Sequence, residues 1–122
     1  MLRNDQYIMY IGEASKKTGL SVKTIRFYES KGLIKTPRRI GNYRTYREPD
    51  IELLLLIKDA TQLGISLSKL KGVIEYHKSE VNWMKIKAFL NEVRSDLVNQ
   101  IELLQSKIVS IDQCCSQIKS EP

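Results

Sequence analysis

The spacing of apolar residues changes along the chain and divides it into a head and a tail. From Trp83 no glycine or proline occurs before Pro122. Apolar side chains recur there at Ile86, Leu90, Val93, Leu97, Ile101, Leu104, Ile108, Ile111, Cys115 and Ile118. The steps are of three or four residues, with one slip near Leu97–Ile101, which is the seam of a coiled coil. A helix from about 81 to 118 would run roughly 57 Å at 1.5 Å per residue. The head is too small to cover a stripe of that length. The stripe Ile86–Leu90–Val93–Leu97–Ile101–Leu104–Ile108–Ile111 is therefore expected to pair with a second copy in a two-fold homodimer.

Upstream, one pattern is written twice. Residues 18–25 read "TGLSVKTI" and residues 63–70 read "LGISLSKL". Each follows an apolar helical segment, and each sets a glycine where a helix can end in the left-handed conformation. Ser21 and Ser66 then stand where the next helix needs a side-chain oxygen for its free N–H groups. Helix, glycine turn, serine-capped helix is the grammar of a helix-turn-helix. Ahead of the second copy, "LLLLI" at 53–57 covers too many faces for a surface helix, so burial on several sides is expected.

The second helices of the two copies differ in what they leave exposed. In "SVKTIRFYESKGL", Val22 and Ile25 are the expected buried pair, with Leu20 and Leu33 closing the ends. Lys23, Arg26, Phe27 and Ser30 follow i, i+3, i+4, i+7 on the opposite face, flanked by Thr24 and Tyr28. Such a face suits the DNA major groove, where Arg and Lys meet guanine and Thr meets a thymine methyl. The second copy exposes Ser68, Lys69 and Lys71, enough for phosphates but poor for reading bases. Between the copies, "LIKT" and "YRTY" read as short strands joined by a turn on Arg39-Ile40-Gly41-Asn42. From this wing Arg38, Arg39 and Arg44 would project with Tyr43 and Tyr46, and guanidinium groups fork onto phosphate oxygens. Lys16 and Ser21, at the end of the first helix and the head of the second, complete the candidate DNA contacts.

Charge narrows the partner. Residues 1–50 carry eleven basic and five acidic side chains, so the whole net charge of +6 lies there. A basic head on a neutral body points to a polyanion, and nucleic acid leads over membrane because no basic amphipathic helix accompanies it. No apolar run approaches the length of a membrane span and no signal pattern opens the chain, so a cytoplasmic protein is expected. The opening "MLRNDQYI" carries no pattern, and Met9 is a second candidate start. No acid pair, nucleophile–base arrangement or phosphate loop supports an enzyme.

The stretch "YIGEASKKTGLSVKTIRFYESKGLIKTPRRIGNYRTY" closely resembles the DNA-binding half of the mercury-resistance regulator (MerR) family of bacterial transcription factors. "TIRFYESKGLI" and "GNYRTY" carry the likeness most specifically, and "LGISL" supports it downstream. The resemblance implies a mainly α fold, with a winged helix-turn-helix over residues 1–78 that includes a second helix pair at about 49–77. A dimerisation helix over 79–118, in an antiparallel coiled coil, and a short tail at 119–122 would follow. It implies a promoter spacer as ligand, distorted so that RNA polymerase engages both promoter elements. By position, Lys23, Thr24, Arg26 and Tyr28 look like recognition-helix contacts, and Arg38, Asn42, Tyr43 and Arg44 like wing contacts.

The chain's only cysteines, Cys114 and Cys115, sit near the end of the long helix. Metal sensors of the family carry cysteines there. In this chain the pair arrives about one turn early, no Cys or His follows it, and Ser79 stands where divalent-metal sensors place a cysteine. Adjacent thiols on a helix point about 100° apart. Zn(II) takes four ligands, and one subunit offers two thiols and His77. A soft-metal or thiol-sensing site would need partner-subunit residues around Cys114, Cys115 and His77. Otherwise no cofactor is expected, and Cys115 packs on the seam. An effector-free repressor or DNA-bending protein is a further alternative.

Overall fold

The computed structural model describes residues 7–35, 38–78 and 80–119. The chain divides into two compact units, Met1–Asn82 and Trp83–Pro122.

The first unit opens with β1 (Met9–Tyr10), α1 (Ile11–Thr18) and α2 (Val22–Ser30). Strands β2 (Arg39–Ile40) and β3 (Tyr43–Tyr46) follow, then α3 (Glu48–Gln62), α4 (Leu67–Val73), and a small hairpin of β4 (Tyr76–His77) and β5 (Glu80–Val81). Both copies of the repeated pattern fold as the pattern requires. Gly19 takes φ +73° and its N–H closes onto the Ser15 carbonyl at 2.9 Å, while Gly64 takes φ +87° after α3. The Ser21 hydroxyl accepts the Thr24 N–H at 3.0 Å, and Ser66 accepts that of Lys69 at 3.2 Å. These bonds satisfy donors that a helix start leaves free. In "LLLLI", Leu53, Leu54 and Ile57 are buried and Leu56 is half-buried, but Leu55 stays exposed. Full burial of such a side chain stabilises by about 1.5–3 kcal/mol, so α3 is the spine of the head.

The wing differs from expectation in one strand. Of "LIKT", Leu33–Lys35 form no strand: Leu33 and Ile34 bend away from the Lys31-Gly32 turn, and Thr36 lies outside the described residues. The reason is Gly32, whose φ of +75° ends α2 with Leu33 N–H bonded back to the Tyr28 carbonyl at 3.0 Å. That closure sends both Leu33 and Ile34 into the core, where a strand would have alternated them. The sheet is instead ordered β1-β3-β2 and antiparallel. Arg39 and Ile40, expected in the turn, are strand residues facing Arg44 and Tyr43, and the loop is Gly41-Asn42 alone. Gly41 supplies the positive φ, +61°, at the first loop position, as a two-residue type II′ hairpin needs.

Two lysines tie the head together. Lys58 of α3 donates to the Thr18 carbonyl at 2.9 Å, placing a cation at the C-terminus of α1 where the helix dipole favours it. Lys35, after α2, donates its N–H to the Tyr76 hydroxyl oxygen at 3.2 Å and sets its ammonium 4.7 Å over that ring. Burial pushes the Tyr76 hydroxyl pKa up.

The second unit is one helix, α5 (Trp83–Gln117), of 35 residues. Along its seam Ile86 is buried and Leu90 and Val93 are half-buried. From Leu97 onward every seam residue is exposed, from 52% at Leu97 to 60% at Ile111 and 73% at Ile118 just past the helix. Among the described residues no helix is long and apolar enough to cross a membrane.

Candidate nucleic-acid interface

The turn between α1 and α2 is stitched by side chains. Thr18, buried, donates its hydroxyl to the Ala14 carbonyl at 2.8 Å and accepts the Leu20 N–H at 3.2 Å. Ser15 closes the other side, donating to the Leu20 carbonyl at 2.6 Å. This small network fixes the angle at which α2 leaves α1, and so fixes which face of α2 is presented.

That face carries Lys23, Arg26, Phe27 and Ser30, all exposed. The Lys31 ammonium lies 5.5 Å over the Phe27 ring, adding positive charge beside it. Thr24 is half-buried, and its hydroxyl lies 2.8 Å from that of Ser21, so both belong to the cap as well as to the rim of the face. Tyr28 needs correcting. It was expected on the flank of the exposed face, but it is only 7% exposed. It stands three residues after Ile25, and residues three apart share a helix face.

Arg38, Arg39, Asn42 and Tyr43 of the wing are exposed, and Lys16 is exposed on α1. Arg44 and Tyr46 are the exceptions. The Arg44 Nε donates to both carboxylate oxygens of Glu29 at 3.0 and 3.3 Å, with side chains 27% and 11% exposed. A freely projecting arginine was expected; instead it ties the wing to the end of α2. Tyr46 is 1% exposed, and its hydroxyl has no hydrogen-bond partner among the described residues. Burial, aided by the Glu29 charge, pushes its pKa up to about 12. On the other side of the sheet, the Tyr10 and Tyr43 rings lie 5.6 Å apart. A crevice lined by Tyr10, Ile11, Arg26, Asn42, Tyr43 and Arg44 joins α1, the exposed face of α2 and the wing.

An exposed basic helix face, a basic wing and a crevice between them form one surface for a polyanion. Over residues 9–77 the chain matches the family described as "MerR HTH family regulatory protein". The chain belongs to the MerR family.

Other MerR-type regulators extend the match beyond the head. The chain is 33% identical over 112 residues to heavy metal-dependent transcription regulator 2 of Rhizobium meliloti, covering 91% of this chain and 72% of that one. It is 35% identical over 100 residues to the transcriptional regulator CueR of Escherichia coli, covering 80% and 74%. Among solved structures it resembles the transcription regulator PbrR691 of Ralstonia metallidurans in complex with lead(II), at TM-score 0.55 and 26% identity over 93% of this chain and 90% of that one. It shares the fold of HiNmlR, a MerR regulator lacking the sensor domain and bound to promoter DNA, at TM-score 0.54 and 21% identity over 90% and 80%. The protein is thus a DNA-binding MerR-type transcriptional regulator with a winged helix-turn-helix head.

Cys114 and Cys115 are both exposed on α5, and His77 is exposed in β4. Among the described residues no group of three or more His, Cys, Asp or Glu could hold a metal ion. Tyr10, Glu29, Lys58 and Tyr76 were missed from the sequence. Each acts through a contact distant along the chain, and no local spacing announces such contacts.

Proposed function

We propose that this MerR protein binds a pseudo-palindromic promoter spacer as a homodimer and controls transcription by distorting it for RNA polymerase. The observation carrying this reading is the joint exposure of Lys23, Arg26 and Phe27 on α2 beside Arg38, Arg39 and Asn42 of the wing. The helix face reads base edges in the major groove, and the wing holds the neighbouring backbone. Two heads are supplied by pairing α5 with its copy through Leu97, Ile101, Leu104, Ile108 and Ile111, which expose apolar area along one stripe. With no chemistry to perform on a substrate, the energy the protein supplies goes into DNA deformation. The test is footprinting on the DNA upstream of its own gene, combined with transcription from that promoter. A protected two-half-site region with altered transcription supports the reading, and uniform binding without a footprint contradicts it.

A second reading adds metal or thiol sensing, favoured by the names of relatives such as the heavy metal-dependent regulator. In this chain Cys114 and Cys115 would require ligands from the partner subunit, since zinc takes four and soft ions favour thiolates. Repeating the footprint with Cu(I), Zn(II), Hg(II) and diamide tests it. A response abolished by the Cys114→Ser, Cys115→Ser double variant supports sensing. No response to any of them leaves an effector-free DNA-bending regulator.

A further inference from the structure

The three-stranded sheet sorts its side chains by alternation. Met9, Arg44 and Tyr46 take one face, with Met9 and Tyr46 fully buried. Tyr10, Ile40 and Tyr43 take the other, since Tyr10 faces Thr45, Ile40 faces Tyr43, and Tyr43 lies two residues from Thr45. Tyr10 and Tyr43 are diagonal neighbours across the strands, which accounts for their tilted rings at 5.6 Å. Thr45 beneath them is buried, and its hydroxyl is used, donating to the Arg38 carbonyl at 2.7 Å.

The two rings themselves are not covered. Tyr10 is 52% exposed and Tyr43 67%, although a tyrosine pair carries a large apolar surface. They border the crevice that also takes in Arg26 and Asn42. An occupant of that crevice therefore meets two apolar ring surfaces, two phenolic O–H donors, the Asn42 amide and the guanidinium groups of Arg26 and Arg44. Among the described residues no carboxylate lines it, and the Arg44 guanidinium is engaged with Glu29. Such a set suits an anion attached to an apolar body. A DNA phosphate with its adjoining deoxyribose has both parts: oxygens for the donors and a sugar for the rings.

We propose that Tyr10 completes, with Tyr43 and Asn42, a seat for one backbone phosphate and its sugar, beside the Arg26 side chain that reaches the base edges. Tyr10 is thereby a DNA-positioning residue, fixing the register in which α2 enters the groove. The proposal rests on the DNA-binding reading above and adds a residue from ahead of the helix-turn-helix. Tyr43 holds the Tyr10 ring in place before DNA arrives, so little side-chain freedom is lost on binding.

The test is a fluorescence-anisotropy titration of the full chain on a mixed-sequence duplex of about 30 base pairs across a salt series, because a phosphate contact is independent of sequence. Tyr10→Ala should weaken binding about fivefold and Tyr10→Phe about two- to threefold, as a lost hydrogen bond of modest strength implies. Neither should change the salt slope, since tyrosine carries no charge, whereas Arg38→Ala, which removes an exposed wing charge, should lower both affinity and slope, the latter by about one. Tyr10→Phe keeps the ring in the sheet, so its loss cannot be ascribed to misfolding. Wild-type affinity in Tyr10→Phe overturns the seat, whatever Tyr10→Ala does. Wild-type affinity in Arg38→Ala as well would bring down the DNA-facing reading itself.

Discussion

Arg44 on the wing grips Glu29 at the end of the recognition helix, with Nε donating to both carboxylate oxygens at 3.0 and 3.3 Å. The pair is mostly shielded from water, so its attraction is stronger than that of a surface ion pair. Its consequence is geometric: wing and recognition helix present themselves as one rigid surface. Glu29→Ala should destabilise the head by about 1–3 kcal/mol, because it strands a partly buried guanidinium. The Glu29→Ala, Arg44→Ala double variant should lose less than the two single losses added together. Chemical denaturation of the four proteins checks this, and strict additivity would mean that the two side chains do not interact.

Gly19 and Gly64 both have positive φ, at +73° and +87°, but only one has a neighbour in the way. A Cβ at Gly19 would stand 2.7 Å from the Lys58 Nζ, whereas at Gly64 nothing lies within 4 Å. Gly64→Ala should cost about 1–2 kcal/mol of backbone strain. Gly19→Ala should cost about 1 kcal/mol more, because Lys58 must swing away and give up the Thr18 carbonyl. Comparing denaturation midpoints with Lys58→Met in the background separates the two contributions. The extra cost should vanish there.

Tyr46 makes alkaline pH informative. Its folded pKa of about 12 lies above the ordinary tyrosine value near 10.0. The folded state therefore holds this proton more tightly than the unfolded chain does. The stability it contributes is complete below pH about 10 and is lost as pH rises through about 12, a fall of roughly 2–3 kcal/mol. Tyr46→Phe should remove that part of the alkaline fall. Near neutrality it should leave stability within about 1 kcal/mol of wild type, since the hydroxyl has no bond to lose among the described residues. Thermal unfolding between pH 8 and 12 (roughly the working range of the test) reads both effects.

In the proposed homodimer the exposed seam of α5 forms the interface. Ile108→Lys puts a charge in the middle of an apolar stripe whose neighbours Leu104 and Ile111 are also exposed in the single chain. Sedimentation equilibrium should show the wild type as a dimer and Ile108→Lys shifted to monomer, with the α-helical head still folded by circular dichroism. A wild-type monomer would contradict the pairing.

The sequence revealed most where structure follows from local rules. The repeated glycine-and-serine pattern foretold Gly19 with Ser21 and Gly64 with Ser66, because helix ends are decided within a few residues. The long helix was equally plain from its seam. The wing was half legible: "YRTY" alternates and forms β3, but its first partner is the two-residue β1, too short to have any period. Leu33–Lys35 of "LIKT" looked like a strand but form none, since α2 closes at Gly32 with the Leu33 N–H reaching back five residues to Tyr28. On α2 the spacing anticipated the exposure of Lys23, Arg26, Phe27 and Ser30, but not the half-burial of Thr24 or the burial of Tyr28. Arg44 was misjudged because its partner Glu29 lies fifteen residues earlier, and charge patterning shows no such pairing.

The measurement closest to the central claim is the selectivity of Arg26→Ala. Its affinity should be compared with wild type on the footprinted DNA upstream of the gene and on mixed-sequence duplex at equal salt. Arg26 stands exposed on α2, where a guanidinium meets guanine in the major groove. Arg26→Ala should lose about 1–3 kcal/mol more on the footprinted site than on mixed sequence, narrowing the ratio between the two. An equal loss on both DNAs would contradict the claim that this helix reads the promoter.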